Sequence, residues 1–442
     1  MKKNPHQISA VATERDLSDQ DRPVQSPAPS PGSGAHRPIR MLYVVGGGPG
    51  IAERVDVSDL FAKRLARKGF EIDWVIHDPE AGQAWQDTTW RGARALVVGR
   101  SSHSGLAGQI GNKIRDLSAD LRTFWLVLRS DYDVVQVRDK FLVGVIALLA
   151  ARLRGIKFTY WASYPFAECR IVDAQEGRSR MSFLSVVGGK LAGWLLYNII
   201  LPYSDWIFVQ SQQMLEDFCK EGVSPQKMTP VPMGINEDLL EHPPCPVTPH
   251  TVLYLGTLNL VRRLDTLVDA LAIVRQRFPD VRLIFVGEGD VPEDRQRLEQ
   301  AIEKHNLADA VEITGWLPAA EAHEQVCRAA VCVSPFYPIP ILLSTSPTKL
   351  IEYMALQRPV VANEHPEQSV IIAESGAGIC VPWSAEQFAE AIASLLANPE
   401  EAEAMGRKGR EYVRARRIYS QIAEDVAKEY FRLVPMPNTV EQ

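Results

Sequence analysis

One local pattern runs through most of this chain and then repeats. A short apolar run, Met41–Val45, is followed by a loop of glycines at 46–50, a helical stretch from about Ser58, and a second apolar run, Glu71–Ile76. Strand, glycine turn, helix and strand form the βαβ unit of a parallel sheet. Similar runs predict further strands at 95–98, 134–137, 158–161 and 206–209.

The pattern stops at Glu241–Pro249, where four prolines fall within nine residues. Proline cannot continue a helix or an inner strand, so this segment is predicted to be a linker. The pattern then restarts, with strands predicted at 252–256, 282–287, 311–315, 331–335 and 359–362 and helices at 264–278 and 293–305. Two α/β domains joined in this way place the natural binding site in the cleft between them.

The length of 442 residues is too great for one hydrophobic core and suits two domains. The first residues contain six prolines and few large apolar side chains, which predicts a disordered tail. The predicted divisions are a tail at 1–38, an N-terminal domain at 39–240, a linker at 241–250, a C-terminal domain at 251–417, and a last helix and tail at 418–442.

The charge is divided unequally. Residues 236–442 hold 19 Lys and Arg against 30 Asp and Glu, whereas residues 40–235 hold 24 against 20. The acidic half argues against nucleic-acid binding. The basic half is compatible with an anionic acceptor or a membrane surface, and equally with ordinary solvated charge.

No secretory signal is expected, because the N-terminus stays polar, and a cytoplasmic location is predicted, with the inner face of the membrane as an alternative. The segment Phe183–Leu201 is apolar but contains Lys190 and Asn198. It is interpreted as a core helix in preference to an interfacial helix. The six cysteines form no CxxC pair, so neither a zinc site nor a disulfide framework is expected.

The most informative stretch is Ser344–Ala355, which reads STSPTKLIEYMA. Proline and polar residues introduce a helix whose N-terminus would offer unpaired N–H groups to an anion. Lys349 is unfavourable in the first turn unless an anionic ligand is bound there. Glu352 shares its helix face and would suit the hydroxyls of a ribose, while the alternative is a surface Lys–Glu pair.

At this stretch the chain resembles the GT-B glycosyltransferases of the retaining family 4. The matching strings are SPTKLIEYMA with QRPVVA after it, YLGTL at 254–258, VGEG at 286–289, GWLP at 315–318 and VSP at 333–335, with VQS at 209–211 and VPMGI at 231–235 in the N-terminal half. The resemblance spans about 40–433. It implies two Rossmann-like, doubly wound domains that face a central cleft, with the donor on the C-terminal domain and the acceptor on the N-terminal domain.

The resemblance also implies roles for residues. Glu352 would bind the ribose, Lys349 would lie near the donor phosphates, and Arg262 or Arg263 would contact the diphosphate. The remaining donor-side candidates are Gly256, Thr257, Gly287, Gly315, Trp316, Ser344, Thr345 and Ser346. Two positions depart from the family pattern: Ser344 replaces a frequent sugar-contacting glutamate, and Thr257 replaces a frequent phosphate-binding arginine.

On the acceptor side, residues at the carboxyl ends of predicted strands are the candidates. They are Gly47, Gly48, Arg138 and Glu168, with a structural turn, a salt-bridged arginine and a loop carboxylate as alternatives. No metal site and no cofactor are expected. Asp131-Tyr132-Asp133 precedes a strand and is therefore interpreted as a turn, not as a metal-binding DxD.

The resemblance therefore implies a retaining, metal-independent hexosyltransferase that moves a sugar from a nucleoside diphosphate sugar to a glycan or lipid-linked glycan. It also implies bacterial surface or exopolysaccharide synthesis as the setting, and peripheral membrane contact is compatible with that setting. Two alternatives remain: a nucleotide-sugar 2-epimerase, and a degenerate partner subunit without activity.

Overall fold

A computed structural model describes residues 37–46, 54–78, 86–99, 106–175, 182–289 and 291–434. The predicted tail up to residue 36 and the glycine loop with Gly47 and Gly48 lie outside the described residues.

The N-terminal domain is an eight-stranded sheet with helices on both faces. Its strand order is β3-β4-β2-β1-β5-β6-β7-β8, parallel except for the antiparallel edge strand β3. The elements are β1 Ile39–Gly46, a helical segment Asp56–Leu65, β2 Phe70–Asp78, β3 Gln86–Trp90, β4 Ala93–Gly99, α1 Leu106–Arg129, β5 Val134–Arg138, α2 Leu142–Arg154, β6 Lys157–Ala162, α3 Phe166–Gln175, α4 Ser182–Leu195 with its continuation Leu196–Ile200, α5 Leu201–Tyr203, β7 Trp206–Val209, α6 Gln212–Lys220 and β8 Met228–Pro230.

The C-terminal domain has a six-stranded, wholly parallel sheet in the order β11-β10-β9-β12-β13-β14. Its elements are β9 Thr251–Leu255, α7 Asp265–Val274, β10 Arg282–Val286, α8 Pro292–Lys304, β11 Val311–Ile313, α9 Ala319–Arg328, β12 Val331–Ser334, α10 Pro340–Leu343, α11 Thr348–Ala355, β13 Val360–Asn363, α12 Pro366–Ser375, β14 Gly378–Val381, α13 Ala385–Ala397, α14 Pro399–Arg416 and α15 Tyr419–Leu433.

Both sheets are doubly wound, as the sequence predicts. In each, the strand order reverses beside the first strand of the domain, between β1 and β5 and between β9 and β12. Strands buried on both faces explain the near-continuous apolar runs in the sequence. In open sheets of this kind, ligands bind at the carboxyl ends of the strands on either side of the reversal.

The last helix, α15, does not stay with the domain that precedes it. Its buried residues Tyr419, Ala423, Val426 and Tyr430 pack with Met41 and other N-terminal residues in one core cluster. The Tyr430 hydroxyl bonds the Gln136 amide oxygen on β5. The chain therefore crosses between the domains twice, at the linker and again near Ile418.

Direct hydrogen bonds also join the two domains. The Ser211 hydroxyl donates to the Ser344 carbonyl at 2.6 Å, and the Ser344 hydroxyl donates to Asp217 Oδ2 at 2.5 Å. The Met233 N–H donates to the Ser346 hydroxyl at 3.0 Å. These contacts close one side of the interdomain cleft around the loop that precedes α11.

Candidate active site

The site begins where β9 and β10 end, because both strands finish in a glycine with positive φ. Gly256 has φ of 137° and Gly287 of 140°, conformations that side chains rarely adopt. A Cβ on Gly287 would lie 2.2 Å from the Gly256 carbonyl oxygen. The two loops therefore approach each other more closely than they could if any other residue replaced Gly287. Their glycines leave the backbone beside the switch point uncovered by side chains.

Lys349 enters this region from the first turn of α11. Its Nζ lies 5.1 Å from the centroid of the Tyr254 ring and 4.8 Å from that of Phe336. The side chain is 9% exposed, and among the described residues it has no hydrogen bond or ion pair. Burial, followed by repulsion from Arg262, holds the pKa of Lys349 well below its usual value. An anion bound here would remove that penalty.

Arg262 reaches the same place from the loop after β9. Its guanidinium carbon lies 5.7 Å from the centroid of Phe336, and its Nη1 is buried without a partner among the described residues. Arg263 points elsewhere, over Tyr337 at 5.4 Å, from a backbone with φ of 50°. Of the two arginines that the sequence leaves open, the geometry groups Arg262 with Lys349.

The backbone of Phe336, whose ring lies near both cations, is held by two hydrogen bonds to one side chain. The Phe336 N–H donates to Asn363 Oδ1 at 2.6 Å, and Asn363 Nδ2 donates back to the Phe336 carbonyl at 2.8 Å. Asn363 is fully buried at the end of β13. Sequence reasoning missed Tyr254 and Phe336, although Tyr254 lies within one predicted strand and Phe336 directly follows another.

Glu352 follows Lys349 by one helical turn and is partly buried. Its carboxylate has no partner among the described residues. Burial raises the pKa of Glu352 to about 7, and nearby Lys349 opposes that rise. A carboxylate next to a cationic pocket can accept hydrogen bonds from neutral hydroxyl groups without repelling the anion that the pocket binds.

Three other donor-side candidates lie around the mouth of this pocket. Gly315 pairs with Gly287 in a short bridge, where the Gly287 N–H donates to the Gly315 carbonyl at 3.1 Å. The next residue, Trp316, is 64% exposed, so its ring is open to stacking by a flat ligand. Thr257 contributes its carbonyl to the Tyr254 hydroxyl at 3.0 Å.

The serine and threonine loop before α11 is engaged internally. Besides the interdomain bonds of Ser344, the Thr345 hydroxyl donates to the Leu342 carbonyl and the Ser346 hydroxyl to Glu367 Oε1. The N–H groups of Ser344 and Thr345 donate to the carbonyls of Pro340 and Leu342. These two N–H groups are therefore already hydrogen-bonded within the protein in this conformation.

On the N-terminal side, Arg138 is buried at the end of β5 and 1% exposed. Its Nη2 lies 2.8 Å from Asp56 Oδ2, and its Nη1 lies 3.3 Å from Asp139 Oδ2. Asp139 in turn accepts a bond from the Ser163 N–H at 2.8 Å. The structure thus shows the salt-bridged alternative for Arg138, and contact with an acceptor stays a prediction.

Glu168 lies in the first turn of α3 and accepts a hydrogen bond from the Tyr197 hydroxyl at 2.7 Å. Its second oxygen, Oε2, is buried without a partner among the described residues. It lines a small cavity with Asp139 and Tyr164, close to the carboxyl end of β6. This placement keeps Glu168 as a candidate on the acceptor side.

Two doubly wound domains that face a cleft, with an anion pocket at the switch point of the second, define the GT-B class of glycosyltransferase. Family comparison agrees: residues 57–239 match the family described as Glycosyltransferase Family 4, and residues 249–398 match Glycosyl transferases group 1. The chain therefore belongs to the family 4, group 1 glycosyltransferases.

Curated relatives are glycosyltransferases with different partners. The Bacillus subtilis glycosyltransferase EpsD is 23% identical over 63% of this chain and 71% of its own length. The D-inositol 3-phosphate glycosyltransferase of Segniliparus rotundus is 34% identical over 36% of this chain and 34% of its own. The phosphatidyl-myo-inositol mannosyltransferase of Mycobacterium leprae is 28% identical over 45% of this chain and 52% of its own length. The last two alignments span only a third to a half of those relatives.

Solved structures share the fold. The sucrose-phosphate synthase of Thermosynechococcus elongatus superposes with a TM-score of 0.66 at 20% identity, covering 89% of this chain and 99% of that one. HepE of Anabaena, solved with UDP and glucose, gives a TM-score of 0.64 at 13% identity, with 89% and 99% covered. The predicted architecture is confirmed.

Proposed function

We propose that the protein transfers a glycosyl group from a nucleoside diphosphate sugar to a hydroxyl acceptor, with retention at the anomeric carbon and without a catalytic metal. The observation that carries the proposal is the pairing of Lys349 and Arg262 on one ring, with Glu352 one turn away. Two cations without a described counter-ion match a diphosphate in charge, and the carboxylate beside them matches a ribose.

The chemistry follows from these positions. Departure of the diphosphate breaks the bond between its oxygen and the anomeric carbon, and negative charge grows on that oxygen. Lys349 and Arg262 stabilise this charge in a site that is largely shielded from water. The acceptor oxygen bonds to the same face of the anomeric carbon, and its proton passes to the leaving phosphate oxygen.

The acceptor is proposed to be a glycan or lipid-linked glycan in surface polysaccharide or glycolipid synthesis. The Mycobacterium leprae mannosyltransferase supports this setting, since its name specifies phosphatidyl-myo-inositol. The nucleotide-sugar 2-epimerase alternative loses support, because both family matches are to glycosyltransferases.

We also propose that the N-terminal domain rests on a membrane surface at the cytoplasmic face. The supporting feature is the outward face of three neighbouring helices, α1, α2 and α4, called here the apolar face. Its exposed apolar side chains are Ile114, Leu117, Leu121 and Trp125 on α1, Leu142, Leu149 and Leu153 on α2, and Phe183, Leu184, Val187, Leu191 and Trp194 on α4.

The segment Phe183–Tyr203 is long and apolar enough to cross a membrane by length and composition, yet only 28% of an apolar 18-residue window within it is buried. The preference for a core helix was therefore wrong: Phe183 is 77% exposed, while Ile200 and Leu201 pack inside the domain. One face anchors the helix to the protein and the other faces outward. Its single charged residue between 183 and 203 is Lys190, which suits an anionic lipid surface.

Thermal unfolding with UDP-, GDP- and ADP-sugars tests the donor proposal. One donor class should raise the unfolding temperature of the full chain, and Glu352→Ala should abolish that rise. Product analysis should then show retention, and EDTA should leave turnover unchanged. A chain that neither binds nor cleaves any nucleotide sugar would instead be a degenerate partner subunit.

Flotation with vesicles tests the membrane proposal separately. Phe183→Ser combined with Leu191→Ser should reduce binding to vesicles of anionic lipid, while transfer to a soluble acceptor analogue persists. Val370→Ser, at an exposed position of the C-terminal domain, is the matched control. Equal binding by all three chains would rule out the apolar face as the contact.

A further inference from the structure

The linker and the end of α9 bring together side chains that the reaction does not use. His242 and Cys245 belong to the linker, and Cys327 lies in the last turn of α9. One ligand atom from each of these three residues lies within 4.8 Å of the others. The Cys245 N–H donates to Cys327 Sγ at 3.2 Å, so the linker backbone is already held against that thiol.

A single carbonyl lies at the centre of this group. The Pro243 carbonyl oxygen is 2.8 Å from His242 Nδ1, 3.9 Å from Cys245 Sγ and 3.7 Å from Cys327 Sγ. If His242 donates from Nδ1 to this oxygen, its other ring nitrogen, Nε2, carries the lone pair for a metal. Second-shell bonds of this type orient most histidine ligands in metal sites.

The same helix offers a candidate for the fourth ligand. His323 precedes Cys327 by four residues on α9, so the two side chains share one helix face. The spacing is then His-x2-Cys in the linker and His-x3-Cys on the helix.

The ligand types select the metal. Two thiolates and two imidazoles in tetrahedral arrangement favour Zn²⁺, whereas Mg²⁺ and Ca²⁺ require oxygen ligands. Cys245 and His242 are partly exposed and leave a path for the ion to enter. A search for a CxxC motif cannot find this set, because its two cysteines are 82 residues apart in the sequence and meet only in the fold.

We propose that His242, Cys245, His323 and Cys327 form a structural zinc site that fastens the interdomain linker to the C-terminal domain. Binding replaces the two thiol protons with the metal, so Zn²⁺ enters and two protons leave to solvent. The Thr248 N–H donates to the Arg328 carbonyl at 2.8 Å and extends the same attachment. The linker then moves together with the C-terminal domain. The zinc site is independent of which donor sugar the protein binds.

Metal analysis of the full-length chain tests the site. Protein purified with zinc in the medium and then dialysed should retain about one equivalent of zinc. Titration of the metal-free chain with Co²⁺ should produce the intense visible bands of tetrahedral thiolate coordination. Removal of the metal should lower the midpoint of thermal unfolding, because the ion binds the folded chain only.

Variants locate the ligands. Cys245→Ser and His242→Ala change partly exposed linker residues and should abolish stoichiometric zinc, even if the buried Cys327→Ser fails to fold. His323→Ala should weaken zinc binding by at least about 10-fold, a loss typical even of outer-shell changes. Cys380→Ser, a cysteine of the same domain outside the cluster, should keep full zinc.

Three results would overturn the proposal. They are a zinc-free chain after purification with zinc, full zinc retention by Cys245→Ser, and a disulfide between Cys245 and Cys327 mapped by mass spectrometry in protein kept under reducing conditions.

Discussion

Lys349 and Arg262 both lie against the Phe336 ring, at 4.8 Å and 5.7 Å from its centroid, with no carboxylate paired to either among the described residues. They come from separate elements, α11 and the loop after β9. Two like charges so placed are unfavourable in the free protein, as the lowered pKa of Lys349 indicates. The two cations therefore lower the stability of the free protein, and binding of an anion would restore it.

The first prediction concerns Lys349→Met. Because it removes a buried, unpaired cation and keeps the volume, the free protein should become more stable by about 1–3 kcal/mol in denaturant unfolding. The stabilisation that UDP or GDP gives to the wild type should disappear. Lys408→Met, at an exposed position of the same domain, should change neither quantity. A less stable Lys349→Met protein that still binds nucleotide would contradict the pocket.

The second prediction separates the two arginines. Arg262→Ala should weaken donor binding by about 10- to 100-fold, as expected for loss of a charged hydrogen bond. Arg263→Gly should bind donor nearly as wild type and match or exceed its stability, because glycine accepts the φ of 50° without strain. Calorimetric titration measures both affinities. Equal losses in the two variants would show that both arginines hold the diphosphate.

The third prediction is a pH dependence caused by Glu352. Its folded pKa of about 7 exceeds the usual 4.5. A group with a raised folded pKa contributes its full stability below the unfolded value, and that contribution is lost as the pH rises through the folded value. The free wild-type protein should therefore lose on the order of 1–2 kcal/mol relative to Glu352→Gln between pH 4.5 and about 7.

Denaturant unfolding of both proteins at several pH values measures this difference. Donor affinity of the wild type should rise over the same window, because the carboxylate accepts hydroxyl hydrogen bonds best when ionised. Parallel stability profiles for wild type and Glu352→Gln would show that the carboxylate titrates normally.

Many strands of this fold could be predicted from the sequence, for a physical reason. Inner strands of a parallel sheet are apolar on both faces, so the strands predicted at 206–209 and 331–335 coincide with β7 and β12 to within one residue. Such apolar runs are local features, so they can be recognised in a single sequence.

The rest depends on contacts between distant residues. Nothing near Phe336 indicates that Lys349 and Arg262 will meet over it, and nothing near Cys245 indicates Cys327. The exposure of one face of α4 could not be predicted, because apolar composition is the same for a core helix and a surface helix. Only the packing of Ile200 inward and Phe183 outward distinguishes them.

The fourth prediction concerns the position where the family often carries a glutamate. The Ser344 hydroxyl donates to Asp217, and this bond crosses between the domains. Ser344→Glu should therefore place two carboxylates together and destabilise the closed interface by about 1–3 kcal/mol, without improving transfer. Adding Asp217→Asn should recover part of the loss. Improved activity in Ser344→Glu alone would show that the hydrogen bond between Ser344 and Asp217 is not needed for transfer.

The fifth prediction concerns α15, which belongs to the N-terminal core although it follows the C-terminal domain. The Tyr430 ring lies 5.1 Å from that of Phe208 and 5.5 Å from that of Phe70, and its hydroxyl bonds Gln136. Tyr430→Ala should therefore destabilise the N-terminal domain by about 3–5 kcal/mol in denaturant unfolding. Phe431→Ala, at the more exposed next residue of the same helix, is the matched control and should have a smaller effect. Since this helix ties one domain to the other, loss of the Tyr430 ring should also expose backbone amides of β5 and β7 to hydrogen exchange; unchanged protection there would mean that α15 is not part of that core.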